Sequence, residues 1–206
     1  MVRTKDAPIK LPSPNPQGKI SVEAAISKRR SARRFRAQPL SLAQLSQLLW
    51  SAQGITGSGG RRAVPSAGAT YPLEIFVVIG AHGMGILAAG IYHYQVDTHS
   101  LSLHLSGDLR QKLADAALGQ SFIANCPVVI VVCALHPRTA YRYGRRGERY
   151  VHMEVGHVGQ NVSLQAVALG LATVMIGAFE DEEVRKALKI EEQIKPLYII
   201  PVGEPV

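Results

Sequence analysis

The stretch Tyr150-Val151-His152-Met153-Glu154-Val155-Gly156-His157-Val158-Gly159-Gln160-Asn161-Val162-Ser163 lies inside the longest helical pattern of the chain, from Arg146 to Leu169. Val151, Val155, Val158 and Val162 recur at helical spacing and make one apolar stripe. Gly156, Gly159, Ser163, Ala166 and Gly170 make a second stripe, of small residues, at the same spacing. At ~1.5 Å per residue this helix is on the order of 35 Å long. A stripe of small side chains lets another backbone approach closely. The expected element is therefore a buried central helix, lying under a sheet or along a subunit interface.

On its C-terminal side, Leu171–Ile176 reads as a strand, Asp181–Lys189 as a short capped helix and Leu197–Val202 as a final strand. On its N-terminal side, Val128–Leu135 is an almost unbroken apolar strand, as in a sheet covered on both faces. Asp108–Leu118 is an amphipathic helix built on Leu109, Leu113, Ala116 and Ala117. Ile91–Val96 and Ser100–Leu105 flank Asp97-Thr98-His99 and suggest a hairpin, and Leu73–Ile79 reads as a buried strand. Ahead of it, Gly57, Gly59 and Gly60 open a loop running to Pro72. Ser41 caps a helix whose Leu42, Leu45, Leu48 and Leu49 keep helical spacing up to Gly54. Ser21 caps an earlier one through about Lys28, with Val22, Ala25 and Ile26 as its apolar face. Residues 1–19, with Pro8, Pro12, Pro14 and Pro16, form an extended arm with little core of its own. Residues 20–206 then make a single domain. Strands and helices mix without regular βαβ alternation, so the class is α+β.

The totals agree with one ordinary domain: 206 residues, 47% hydrophobic and 18% charged. A net charge of +8 favours anionic partners, such as phosphate-bearing cofactors, acidic substrates or nucleic acid. Aromatics are only 6%, and no basic stripe interleaves with them, so nucleic acid is not the expected partner. Cys126 and Cys133 lie seven apart in one apolar run. On a strand that spacing puts them on opposite faces, as buried thiols in a reduced compartment. No signal peptide and no long apolar span is apparent, which suggests a soluble, cytoplasmic protein without membrane contact.

Charge concentrates in Lys28-Arg29-Arg30-Ser31-Ala32-Arg33-Arg34-Phe35-Arg36, where six of nine residues are basic. Guanidinium forks and a hydroxyl suit a dianionic phosphate. In an extended segment Arg29, Ser31, Arg33 and Phe35 would share one face, with Arg30, Ala32, Arg34 and Arg36 on the other. Further on, Pro65-Ser66-Ala67-Gly68-Ala69-Thr70 supplies small residues whose main-chain N–H groups could approach a ligand.

Other chemistry is poorly provided for. Gly83-Met84-Gly85 superficially matches a dinucleotide turn, but a strand begins near Ile91 and leaves no room for a crossover helix. There is no G-x-S-x-G elbow. His152 and His157 are five apart, roughly 140° around a helix, so no shared metal is assigned. Without an obvious nucleophile, the chemistry points to a cofactor.

Three stretches together resemble the FMN-dependent nitroreductase family: R-x-S-x-R-x-F at Arg29–Phe35, then Pro65–Pro72, then Glu154–Asn161 continued through Gly170-Leu171 to Ile176-Gly177-Ala178-Phe179. Ser66-Ala67-Gly68 through Tyr71-Pro72-Leu73-Glu74, with Gly90-Ile91-Tyr92-His93-Tyr94, looks like one branch, the azoline dehydrogenases of streptolysin-type peptide maturation. The resemblance implies a nitroreductase-like fold: a central, mainly antiparallel sheet flanked by helices, with the long helix at the interface of a homodimer. It implies that Arg29 and Ser31 hold the FMN phosphate and that Arg33 lies near the flavin N1/O2 edge. It implies that the Pro65–Gly68 loop (Pro65, Ser66, Ala67, Gly68) covers the flavin from the other subunit, and that Ala178, beside Gly177, offers its N–H to flavin N5. The family often has basic residues beyond the last strand; here Gly203-Glu204-Pro205-Val206 stands there, which leaves Arg30 or Arg34 to compensate. Azoline-oxidising members use a Lys-Tyr pair before the long helix, and the nearest match is Arg142-Tyr143. Arginine does not deprotonate, so it is no substitute for a lysine base. No catalytic side chain is assigned, since the flavin would accept the hydride, and Tyr143 is the one candidate. The expected function is FMN-dependent hydride transfer from NAD(P)H to a quinone, nitro compound or similar acceptor by a ping-pong mechanism. Azoline oxidation in a peptide-modifying system is the alternative, and a non-catalytic flavin- or nucleic-acid-binding protein is a third reading.

Overall fold

Each apolar run of the sequence takes a place in one sheet or against it. The computed structural model describes residues 7–206; the first six residues of the expected arm lie outside them. In chain order come β1 (Ile9–Lys10), α1 (Val22–Lys28), α2 (Leu42–Gln53), β2 (Ile55–Gly57), β3 (Arg61–Arg62), β4 (Leu73–Ile79), β5 (Gly90–Gln95) and β6 (Ser100–Ser106). There follow α3 (Arg110–Ala116), α4 (Phe122–Asn125), β7 (Val128–Ala134), α5 (His136–Tyr143), α6 (Gly147–Ala168), β8 (Ala172–Thr173), α7 (Asp181–Leu188) and β9 (Lys195–Gly203). Seven strands form one sheet in the order β1-β6-β5-β4-β7-β9-β8, with every adjacent pair antiparallel. No helix joins β4 to β5, which pair directly, so the Gly83-Met84-Gly85 turn is not a dinucleotide fingerprint.

Strand β7 shows how the sheet is buried. Val128, Ile130, Val132 and Ala134 face a core layer that includes Leu45, Leu48 and Leu49 of α2 and the four α6 valines. Val129, Val131 and Cys133 face a second layer with Leu113 of α3, Ile123 of α4 and Val184 and Leu188 of α7. Both faces are covered by helices, which is why the run is apolar throughout.

The caps of α1 and α2 form as their sequences require. Ser21 Oγ accepts from Ala24 N, and Ser41 with Gln44 completes a reciprocal capping box. The apolar face expected on α1 is not buried in the single chain: Ala25 is, but Val22 and Ile26 are 65% and 55% exposed. In the proline-rich segment, β1 pairs with β6 and Leu11 is buried, so this stretch does contribute to the core. The glycine loop after α2 contains a small hairpin, β2 with β3, because Gly59 and Gly60 adopt positive φ of 71° and 75° and turn the chain back. The strand expected over Leu171–Ile176 is shorter, with Ala172–Thr173 pairing and then a single bridge from Ile176 to Ile199.

The second stripe of α6 divides. Gly159, Ser163 and Ala166 are buried against the sheet, whereas Gly156 and Gly170 are exposed. A Cβ at Gly159 would stand 3.0 Å from Met175 Sδ and 3.2 Å from the Tyr198 ring, so glycine allows the helix to lie on β9. Both cysteines are free and buried, but they share the second layer. Cys126 precedes β7 at the end of α4, so strand alternation does not apply to it. Among the described residues no helix is long and apolar enough to cross a membrane.

Candidate functional site

At Arg29 the helix α1 ends and the chain becomes extended. Ser31 bridges Thr173 in parallel, with Ala32 N donating to Thr173 O at 3.0 Å, and Phe35 bridges Pro205. Arg36 is tied to the same segment, its N–H donating to Glu204 O at 2.9 Å and its Nε to Pro205 O at 3.0 Å. The strip is thus a marginal strand along the β8–β9 edge. Strict alternation lapses within it, for Ala32 and Phe35 turn partly inward while Ser31 and Arg33 stay exposed. Phe35 does not join the polar face. It packs into the second core layer, close against Gly203, where a Cβ would lie 3.1 Å from the Phe35 Cβ. Arg30 turns back on the end of α1, its Nη1 donating to Ser27 O at 2.9 Å and Arg29 O at 2.7 Å. Arg29, Ser31 and Arg33 make no side-chain hydrogen bond among the described residues.

Beyond Thr173 the same edge continues to Gly177 and Ala178, both exposed. Ala178 O accepts from Gln120 Nε2 at 3.0 Å, while the Ala178 N–H has no acceptor among the described residues. The structure therefore places Arg29, Ser31, Arg33, Gly177 and Ala178 along one edge of the sheet.

The Pro65–Gly68 loop lies elsewhere. It is held by Glu154 of α6, whose Oε1 accepts from Ser66 Oγ at 3.0 Å and from Ala67 N at 2.9 Å. Glu154 is nine residues before Ser163, whose hydroxyl is 3.3 Å from the Thr173 hydroxyl beside Ser31. Nine residues of helix place the loop and the basic strip about 14 Å apart along α6. Over the loop stand the last two residues of α5: Arg142 Nη1 donates to Gly68 O at 3.1 Å, and a Cβ at Gly68 would come within 2.6 Å of Tyr143 Oη. Tyr143 meets Tyr150 edge-on at 5.0 Å. Arg142-Tyr143 is thereby fixed against the loop in the same chain.

A second carboxylate organises the approach to this loop. Glu74 of β4 bonds His93 Nε2 through Oε2 at 2.6 Å and Arg138 Nη1 through Oε1 at 2.7 Å. Arg138 also donates to Tyr71 O at 3.1 Å, and the Arg62 guanidinium lies 4.2 Å above the Tyr71 ring. Burial opposes ionisation of Glu74, yet the His93 and Arg138 contacts hold its carboxyl below the ordinary range. For Glu154 burial prevails and pushes the carboxyl up, against the Ala67 N–H, the Ser66 hydroxyl and the charges of His157 and Arg62. Glu154 has a signal in sequence: with Val151, Val155 and Val158 it falls on the buried face of α6, where a carboxylate needs donors. A cavity of about 740 Å³ opens on α5 between His136, Arg145, Glu148 and Lys195; it contains none of the expected cofactor residues.

The chain is 48% identical over 191 residues to MJ1384 of Methanocaldococcus jannaschii, a provisionally assigned nitroreductase, covering 91% of this chain and 92% of that one. It is 29% identical over 180 residues to the microcin B17-processing protein McbC of Escherichia coli, covering 80% of this chain and 62% of McbC, so it spans less than two thirds of that relative. A nitroreductase-type structure from Ralstonia eutropha JMP134 superposes with a TM-score of 0.84 at 28% identity, covering 97% of this chain and 90% of the other. The E. coli microcin synthetase McbBCD complex with truncated pro-MccB17 bound gives 0.77 at 26% identity, covering 95% of this chain and 76% of that chain. Residues 26–204 match the nitroreductase family, and with them the basic strip, the glycine loop, α6 and the Gly177-Ala178 edge all fall inside the matched region: the chain belongs to the nitroreductase family.

Proposed function

We propose that this protein is an FMN-dependent oxidoreductase that works as a cytoplasmic homodimer and moves hydride from NAD(P)H to a quinone, nitro compound or similar acceptor. The carrying observation is the sheet edge along which Arg29, Ser31 and Arg33, without side-chain partners among the described residues, meet Thr173, and which runs on through Ile176 to the unaccepted Ala178 N–H. These residues fit the cofactor: two guanidiniums and a hydroxyl for a phosphate and a negatively charged ring edge, and an exposed N–H on a small residue for a ring nitrogen. FMN would supply the redox chemistry, accepting hydride and passing it on. Arg29 and Ser31 would bind, Arg33 would stabilise negative charge, and Ala178 would orient. The Pro65–Gly68 loop is about 14 Å along α6 from the strip in one chain. We infer that this loop is contributed to the site by a second copy of the chain. The exposed Val22 and Ile26 on α1, beside a cavity of about 320 Å³ between α1, α2 and α6, provide apolar surface for that copy.

The test is the purified protein's absorbance spectrum and the flavin released on denaturation. Release of FMN supports the reading; a colourless protein that takes up neither FMN nor FAD overturns it. Given FMN, steady-state rates with NADH or NADPH and a simple quinone should show ping-pong kinetics, because donor and acceptor use one site in turn.

A second reading, azoline oxidation in a peptide-modifying system, is favoured by the placement of Tyr143 over Gly68 and by the likeness to McbC. It requires a positioned base, and Arg142 is bonded to Gly68 O and cannot deprotonate. Tyr143→Phe separates the two readings. Quinone reduction should stay within about tenfold of wild type, or 1.4 kcal/mol. Loss of activity on an azoline peptide, in a protein inert to quinones, would favour the second.

A further inference from the structure

Glu154 is the one carboxylate sunk in the apolar face of α6, at 2% exposure. A single oxygen, Oε1, takes both the Ser66 hydroxyl and the Ala67 N–H. Ser66 Oγ in turn accepts from Tyr71 N at 2.9 Å, closing the segment into a loop. Within it Gly68, Ala69 and Tyr71 have φ of 57°, 54° and 45°. That region suits glycine, and alanine and tyrosine enter it only where surrounding contacts hold them. Two bonds then pass from the loop to α5: Gly68 O accepts from Arg142 Nη1, and the Thr70 and Thr139 hydroxyls meet at 2.8 Å.

We propose that Glu154 is a positioning residue whose acceptor oxygen holds the Ser66–Tyr71 loop in its left-handed turn and, through Gly68 and Thr70, sets Arg142 and Tyr143 over it. The proposal rests on the flavin reading only in calling this loop part of the site; the linkage itself is a property of the apoprotein chain. Catalysis is not assigned to Glu154, which touches no position expected for reacting atoms. Its bonds explain why two non-glycine residues keep an unfavourable backbone next to the one glycine, Gly68, that must leave room for Tyr143 Oη.

The test compares Glu154→Met with Glu154→Gln in the full chain, reading amide hydrogen exchange of residues 66–71 and 136–146 alongside thermal unfolding. Methionine fills the buried space without an acceptor, and removing a buried charge does not of itself weaken a core. The expected result is a split: exchange at Ala67 and Tyr71 speeds up roughly ten- to a hundredfold, as the loss of a bond to a buried charged acceptor implies, while the melting temperature holds or rises. Glutamine keeps an oxygen in place and restores most of the protection. Unchanged protection in Glu154→Met overturns the proposal. So does equal loss in both variants, since the acceptor would then not be what matters. Should Glu154→Met not fold, Glu154→Ala is read in its place: Ala67 and Tyr71 must lose protection that Glu154→Gln keeps, and equal protection in the two overturns the proposal. None of these readouts needs bound flavin, so a protein that takes up neither FMN nor FAD would refute the cofactor reading and leave this result standing.

Discussion

Glu74 and Glu154 are both withdrawn from water, and their surroundings set them against each other in acid. Glu74 is held ionised by His93 and Arg138, so its folded pKa lies below the unfolded one, about 4.3. Its contribution is present above that unfolded value and is lost as pH falls through the lower, folded one. Glu154 has the raised pKa of a desolvated acid; its contribution is complete below the unfolded value and declines as pH rises through the folded one. Glu74→Gln should therefore cost about 1.5–3 kcal/mol at neutral pH, the range for hydrogen bonds to a charged acceptor, with the deficit shrinking in acid. Glu154→Gln should gain relative to wild type as pH rises from acid towards neutrality. Denaturant titrations at a series of pH values check both signs. The thiols give a third residue-scale expectation. Burial pushes the Cys126 thiol up to about 12 and Cys133 higher still, so neither should react with a thiol reagent until the protein is denatured. The predicted cofactor contacts separate at this scale too. Arg29→Ala should weaken FMN binding more than Arg36→Ala does, because Arg36 is occupied by Pro205 O whereas Arg29 is not paired among the described residues. Equal losses in a flavin titration would mean that charge alone binds the phosphate.

Among the elements, α6 tests how closely a helix may approach a sheet. Gly159→Leu places a side chain where Met175 and Tyr198 already stand, at a cost of about 1–3 kcal/mol. At Gly156 a Cβ meets nothing within 4 Å, so Gly156→Ala should gain about 0.8–1 kcal/mol from helix propensity. Thermal melts of the two variants should move in opposite directions. Much of this was readable in advance. Periodicity located β4, the β5–β6 hairpin, β7 and α6, because each carries its own apolar pattern over six or more residues. The β2–β3 hairpin and β1 were not, for they are two or three residues long and exist through their partners. Placing Phe35 with Ser31 and Arg33 assumed an unbroken period of two, which the pull of the second core layer interrupts. Within the candidate site, residue type and an extended strip were enough to anticipate Ser31 and Arg33 standing exposed. What each side chain meets was not legible: Arg30 folding back onto α1, or Glu154 gathering Ser66 and Ala67 from 88 and 87 residues away.

For the whole molecule, the closing contacts of the basic strip matter most. Ser31 pairs with Thr173 and Phe35 with Pro205, so a segment near the start of the matched region is held by one near its end. A chain leaving the ribosome can assemble β4, β5, β6 and β7 early, from neighbouring stretches. The strip has nothing to lie against until β8, β9 and Pro205 have emerged. Nascent chains stalled with residues 195–206 still in the exit tunnel should therefore fold a protease-resistant centre and remain unable to retain FMN, while release of the full chain restores binding. The affinity for the cofactor would in this way report that synthesis has passed the last strand, and a truncated product would be left without it.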